Sequence, residues 1–116
     1  MNIKTSLVNE EFVKQTVLFK CLAHPVRLAI LEILRETDEC VCHIVAVLGF
    51  RQVYISQQLQ ALRKAGILSC RRQGPNIYYN IVNKEILSVI DAMNKLLNAK
   101  INLDVDTKSC HCPKCR

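Results

Sequence analysis

Seven cysteines stand in this 116-residue chain, and five of them fall into two clusters. One is Cys40-Val41-Cys42; the other is Cys110-His111-Cys112-Pro113-Lys114-Cys115. Cys21 and Cys70 stand alone. Thiolates are soft ligands, so such clusters select thiophilic ions over magnesium or calcium. Paired thiols of low pKa also suit redox sensing through disulfides or polysulfides. An odd cysteine count does not suggest a disulfide framework, and the opening MNIKTSLVNEEF lacks the apolar segment of an export signal. The expectation is a cytoplasmic protein with Cys40, Cys42, Cys110, Cys112 and Cys115 as candidate metal ligands.

A second chemistry lies between those clusters. The stretch FRQVYISQQLQALRKAGIL, Phe50 to Leu68, carries an apolar stripe at Ile55, Leu59, Leu62 and Ile67, the spacing of a helix. Ser56, Gln57, Gln58, Gln60 and Arg63 lie off that stripe and are suited to hydrogen-bonding bases and phosphates. Gly66 is placed to close the helix in a left-handed conformation. Two β-type runs then flank the turn Gly74-Pro75-Asn76, with Arg71 and Arg72 just before it. Gln52, Tyr54, Ser56, Gln57 and Gln58 sit early in the helix, where helix-turn-helix proteins place base contacts. Arg51, Arg63 and Lys64 are assigned to phosphates, and Arg71, Arg72 and Gln73 on the hairpin are placed to reach the DNA backbone or the minor groove. Tyr78 and Tyr79 alternate across a strand, so either one lies in the core and the other near DNA, or both serve packing.

Charge agrees with that assignment. The net charge is +6, yet no Asp or Glu occurs from Cys40 to Lys84, where Arg51, Arg63, Lys64, Arg71, Arg72 and Lys84 lie. The excess therefore sits on the proposed reader segment, the electrostatic footprint of nucleic-acid binding. A merely solvated basic face is the bland alternative.

These residues need elements to hold them. Asn9 is expected to cap a first helix, with Glu10 and Glu11 in its first turn and a surface of Phe12, Val13, Val17 and Phe19 too apolar for full exposure. His24-Pro25 ends it, His24 being structural, and a second helix runs to about Glu36. Thr37-Asp38 caps a third, Val41 to Leu48, with Gly49 as the turn into the reader helix. Asn83 caps the last helix, about Lys84 to Lys100, where Ile86, Ile90, Met93 and Leu97 form one stripe. The order is mainly α with a small β-hairpin wing: a winged helix-turn-helix over residues 1–100, then a cysteine-rich tail over 101–116. The apolar faces of the first and last helices suggest a homodimer interface, and two reader helices about 34 Å apart call for an imperfectly palindromic operator. No apolar run approaches the roughly eighteen residues that span a bilayer, so no membrane is expected.

Together LAHPVRLAILEIL, ECVCHI, ISQQLQALRKAGIL and RRQGPNIYYNI resemble the ArsR/SmtB family of metal-responsive transcriptional repressors. The resemblance covers about residues 18 to 82. It implies a homodimeric winged-helix repressor of double-stranded operator DNA that lets go when an inducer binds. Cys40-Val41-Cys42 is similar to the metal box of the family's arsenical and cadmium/lead sensors, which makes As(III)/Sb(III), then Cd(II)/Pb(II), the expected inducers. The family's frequent Ser-x-His is Ser56-Gln57-Gln58 here, so base preference does not carry over at Gln58. Its common third cysteine is replaced by Val45, so a missing sulfur has to come from elsewhere. The tail is able to complete the Cys40/Cys42 site, to form a three-sulfur site alone, or only to recruit metal. His43 and His111 are weaker candidates. The family's zinc site on the last helix is not expected: Asp91 is present, but no His lies between Lys84 and Lys108.

One point follows from helix geometry. Residues i and i+2 of a helix point about 200° apart, so Cys40 and Cys42 are expected to converge only where the first turn, Glu39 to Cys42, unwinds. Such unwinding would strain the helix packed on the reader helix and so couple inducer to DNA.

Other functions fit less well. A thiol oxidoreductase using Cys112-Pro113-Lys114-Cys115 lacks its βαβ setting. A metal-buffering protein leaves the acid-free reader segment unexplained. No Ser/His/Asp set, Gly-rich phosphate loop or carboxylate pair supports an enzyme, an organic cofactor or a small organic substrate.

Overall fold

The computed structural model describes residues 9–101 and Leu103. Five helices and three short strands follow in the order α1 (Glu10–Leu22), α2 (Pro25–Ile33), β1 (Glu39–Cys40), α3 (Val41–Leu48), α4 (Gln52–Lys64), β2 (Leu68–Gln73), β3 (Asn76–Ile81) and α5 (Glu85–Leu97). The sheet is antiparallel throughout, in the order β1-β3-β2. The tail cysteines Cys110, Cys112 and Cys115 lie outside the described residues. Among the described residues no helix is long and apolar enough to cross a membrane.

Local chemistry sets most boundaries where the sequence put them. Asn9 Oδ1 accepts the N–H groups of Glu11 and Phe12, at 3.0 and 3.2 Å, and opens α1. His24 Nδ1 accepts from Val26 N–H at 3.2 Å, with Pro25 in the first turn of α2. Gly49 ends α3 at φ 76°, a left-handed conformation that admits glycine without strain. Asn83 Oδ1 accepts from Glu85 N–H at 2.9 Å at the start of α5.

One cap and two boundaries differ. α3 runs from Val41 to Leu48 as expected, but Thr37-Asp38 does not cap it; Cys40 does, its sulfur accepting from His43 N–H at 3.2 Å. The cause is β1, which the sequence did not reveal: Glu39 and Cys40 pair with Tyr79 and Tyr78, which leaves Cys40 in the cap position. α2 stops at Ile33 rather than Glu36. α5 stops at Leu97 rather than Lys100, because Asn98 turns left-handed at φ 51°.

The core is the inward face of each helix meeting the sheet. Ile30, Leu31, Leu34, Ile44, Ile55, Leu59, Leu62 and Leu68 are almost fully enclosed, joined by Tyr79, Ile81, Ile86, Leu87 and Ile90. Each such aliphatic side chain contributes about 1.5–3 kcal/mol by leaving water. Two polar ties brace the helices around this core. Arg27 on α2 donates to Gln58 Oε1 of α4 (2.9 Å) and to the Cys21 carbonyl of α1 (3.1 Å). Arg35 grips Glu32 and, across to α5, Asp91.

Two helices keep apolar faces outside this packing. On α1, Phe12, Val17 and Phe19 are exposed, and Leu22 alone is buried. On α5, Val89, Met93, Leu96 and Leu97 are exposed, opposite the buried Ile86, Leu87 and Ile90.

Candidate nucleic-acid interface and thiol pair

α3, the turn at Gly49 and α4 form the helix-turn-helix; β2 and β3 form the wing. Ile55, Leu59 and Leu62 bury one side of α4. The other side is a shallow groove lined by Gln52, Val53, Ser56, Gln57, Gln60, Ala61 and Lys64. Of the residues expected to meet DNA, Gln52, Ser56, Gln57 and Lys64 share this face. Arg51 and Arg63 are exposed at the two ends of the helix.

Gln58 and Tyr54 are not on it. Gln58 is buried and already accepts from Arg27, because its position in the helical turn faces α2. Tyr54 is half-buried against Phe50, ring centroids 5.2 Å apart, with its hydroxyl 3.4 Å from His24 Nε2. Gln60, one of the polar residues off the apolar stripe, lines the groove as well, and so do Val53 and Ala61, which sequence reasoning did not single out. For Val53 the available signal was its place off the Ile55–Leu59–Leu62 stripe; its apolar side chain argued the other way.

The wing holds its arginines differently. Arg72 is exposed. Arg71 reaches Asp38 Oδ2 (2.5 Å) and Gln73 Oε1 (2.6 Å), and its guanidinium lies 4.7 Å from the centre of the Tyr78 ring. Tyr78 and Tyr79 are both buried, so of the two alternatives packing holds for each. Both faces of β3 are covered: Tyr79 enters the main core, and Tyr78 packs on Cys40, Cys42 and Ala46. Burial pushes the Tyr79 phenol above its ordinary pKa, and the nearby Cys70 adds to this. Arg63 and the hydrogen bond from Gln60 Nε2 (3.1 Å) oppose the shift.

Beneath the wing lies the thiol pair. The Cys40 and Cys42 sulfurs are in disulfide contact across a Cα–Cα distance of 5.4 Å, within the ordinary range for such a bridge. They meet without any unwinding of α3. Cys40 stands before the helix in extended conformation (φ −77°, ψ 159°), so the 200° rule for two helical residues does not govern it. Cys40 pairs through its backbone with Tyr78 of the wing. Glu39 Oε2 lies 3.6 Å from His43 Nδ1 one turn along. Among the described residues no group of three or more His, Cys, Asp or Glu is placed to hold a metal ion.

Residues 24–69 match the model of a family described as bacterial regulatory protein, arsR family. A curated relative, the uncharacterized HTH-type transcriptional regulator Rv0081 of Mycobacterium tuberculosis, is 39% identical over 80 residues, covering 68% of this chain and 70% of the relative. The arsenic resistance transcriptional regulator ArsR1 of Pseudomonas putida is 41% identical over 86 residues, 73% of this chain and 66% of that protein. Among solved structures, the transcriptional repressor BigR from Xylella fastidiosa superposes with a TM-score of 0.72 at 28% identity, over 84% of this chain and all of that one. The chain belongs to the ArsR family. It is a DNA-binding transcriptional regulator and not an enzyme.

In this ArsR-family regulator the remaining candidates are dispersed. Cys21 is half-buried, its sulfur 3.7 Å from the Arg27 guanidinium, and Cys70 is half-buried opposite Tyr79. Asp91 is engaged by Arg35, at 2.6 and 3.0 Å, which holds its carboxyl below the usual carboxylate range. Beyond α5 the chain crosses back over α2: Ile101 and Leu103 line a cleft with Glu32, Ile33, His43 and Val47. Leu103, the last described residue, therefore lies beside α3, the helix that Cys40 caps.

Proposed function

We propose that this protein is a homodimeric repressor whose hold on operator DNA is released when a soft thiophilic ion engages Cys40 and Cys42. As(III)/Sb(III) are favoured, with Cd(II)/Pb(II) next. The observation that carries the proposal is the convergence of two sulfurs at the β1–α3 junction, one of them on a strand paired with the wing. Two thiolates are too few for ions that take three or four, and Cys110, Cys112 and Cys115 are the remaining donors of the right softness. The path of Ile101 and Leu103 toward His43 supports their participation from the same subunit.

The chain's own residues supply the coupling. Asp38, Glu39 and Cys40 form one short segment, and Asp38 holds Arg71 while Arg71 covers Tyr78. A shift of Cys40 toward a third thiolate alters the Cys40–Tyr78 pairing and so the seat of the wing on DNA. The DNA-bound state favours the undisturbed junction and the inducer favours the shifted one, which is the differential affinity that allostery requires. The unpartnered apolar faces of α1 and α5 are assigned to the dimer, which brings two α4 helices to one palindrome.

The disulfide contact favours one alternative, a thiol-redox or sulfide-responsive repressor of the same fold. There the two thiols would give two electrons and two protons to a peroxide or polysulfide as the S–S bond forms. Operator binding by fluorescence anisotropy in reductant separates the two, with arsenite, antimonite, cadmium, lead and zinc titrated in turn. The expected result is a loss of affinity of about 5- to 150-fold with arsenite, the usual span of allosteric coupling, in the wild type. The Cys40→Ser/Cys42→Ser variant and a chain truncated before Cys110 keep their affinity. Release by oxidant or polysulfide alone would replace the metal reading with the redox one.

A further inference from the structure

Val53 is the one large apolar side chain in the groove of α4, and it is 70% exposed. It stands in the first turn of the helix, beside Gln52 and one turn before Ser56 and Gln57. A β-branched residue is a poor choice for an exposed helix position on local grounds, since it restricts its own rotamers and gains nothing from packing. The apolar faces on α1 and α5 belong to other elements, and Phe50 packs on Tyr54; none of them shares the groove.

The groove has the character of a major-groove reader. Its polar members, Gln52, Ser56, Gln57 and Gln60, match hydrogen-bonding base edges, and Lys64 matches a phosphate. The major groove also presents one apolar group, the C5 methyl of thymine, which apolar side chains contact. The four helical steps from Val53 to Gln57 rise about 6 Å along the axis, close to two base-pair steps of about 3.4 Å.

We infer that Val53 is a specificity-determining residue that packs on a thymine methyl in each operator half-site, one or two base pairs from the base read by Gln57. The inference rests on the operator-binding reading above and names part of the sequence that such an operator must contain.

Deoxyuridine keeps every hydrogen-bonding group of thymine and lacks only the methyl. The experiment first selects duplexes from a randomised library with the full-length protein in reductant. Each thymine of the selected half-site is then replaced singly by deoxyuridine, and affinity is measured for wild type, Val53→Ala and Val53→Thr. One position per half-site is expected to lose affinity about fourfold with wild type, which is what burial of one methyl-sized group is worth. Val53→Ala is expected to be indifferent to that replacement, and Val53→Thr, which keeps a γ-methyl, to stay sensitive. A wild type insensitive at every thymine overturns the inference, as does an equal loss in Val53→Ala. Failure to select any sequence would sink operator binding itself, a distinct result from binding without methyl readout.

Discussion

The outward face of α4 and the β1–α3 junction, the proposed reader and the proposed sensor, are built on opposite plans. On α4, Gln52, Val53, Ser56 and Gln57 line an open groove, and the core takes almost nothing from them. At the junction the groups are interlocked: Cys40 with Cys42, Glu39 with His43, Asp38 with Arg71, Arg71 with Tyr78. A reader surface has to leave its groups available for an external partner. A sensor has to tie its groups to something that moves. The difference explains why substitutions in the two regions should report on different quantities.

The sharpest contrast within α4 is between its inward and outward sides. Leu59→Ala, at a fully buried position, is expected to lower stability by about 2–5 kcal/mol in urea denaturation. Gln57→Ala, two positions earlier but exposed, is expected to leave stability within about 0.5 kcal/mol. Its cost falls on operator affinity instead, about 1–3 kcal/mol or roughly fivefold to a hundredfold, if Gln57 reads a base bidentately. A Gln57→Ala protein that unfolds early while binding normally would erase the distinction between the two sides.

Much of this division was legible in the sequence. The 3.6-residue period of Ile55, Leu59 and Leu62 fixed which side of α4 is buried, and Gly49, Gly66 and Gly74 marked the turns at positive φ. What was not legible depended on partners distant in the chain. Gln58 looks like a base reader until Arg27, 31 residues away, is found on it. β1 is two residues long, too short for any period, and exists only because β3 lies beside it. Without that strand in view, the convergence of Cys40 and Cys42 could be argued only as an unwinding of residues 39–42, which the strand supplies in another form. The two tyrosines of β3 stayed undecided for the same reason, since alternation identifies two faces but not what covers the second.

The wing tests whether the sensor is tied to the reader through Arg71. Both arginines were expected at the DNA backbone or the minor groove, yet Arg71 is held by Asp38 and Gln73 whereas Arg72 is exposed. Arg72→Ala is expected to reduce the slope of log affinity against log salt by about one, the signature of one lost phosphate contact. Arg71→Ala is expected to change that slope less and to weaken inducer-driven release more, because it cuts the link between Asp38 and the wing. Equal slopes with unaltered release in both variants would show the wing arginines to be interchangeable and the link idle.

The smallest effect concerns a charged tie that belongs to neither region, Arg35 to Asp91. Arg35 holds the Asp91 carboxyl below the usual carboxylate range, so the folded state binds that proton less well than the unfolded chain does. Stability from this pair is present above the unfolded carboxylate pKa and fades as pH falls through the lower folded value. Asp91→Asn is therefore expected to lower the thermal midpoint slightly at neutral pH, with the difference from wild type closing as the solution is acidified. Asp91 is more than half exposed, which keeps the effect small and screened by salt. Operator affinity and inducer release are expected to stay as in the wild type, since the pair joins α2 to α5 away from both the groove and the thiols. A gap in stability that widened toward acid pH would mean that Asp91 is held by something other than the Arg35 guanidinium. A changed inducer response would mean that α5 takes part in the switch, and the sensor would then extend beyond the β1–α3 junction.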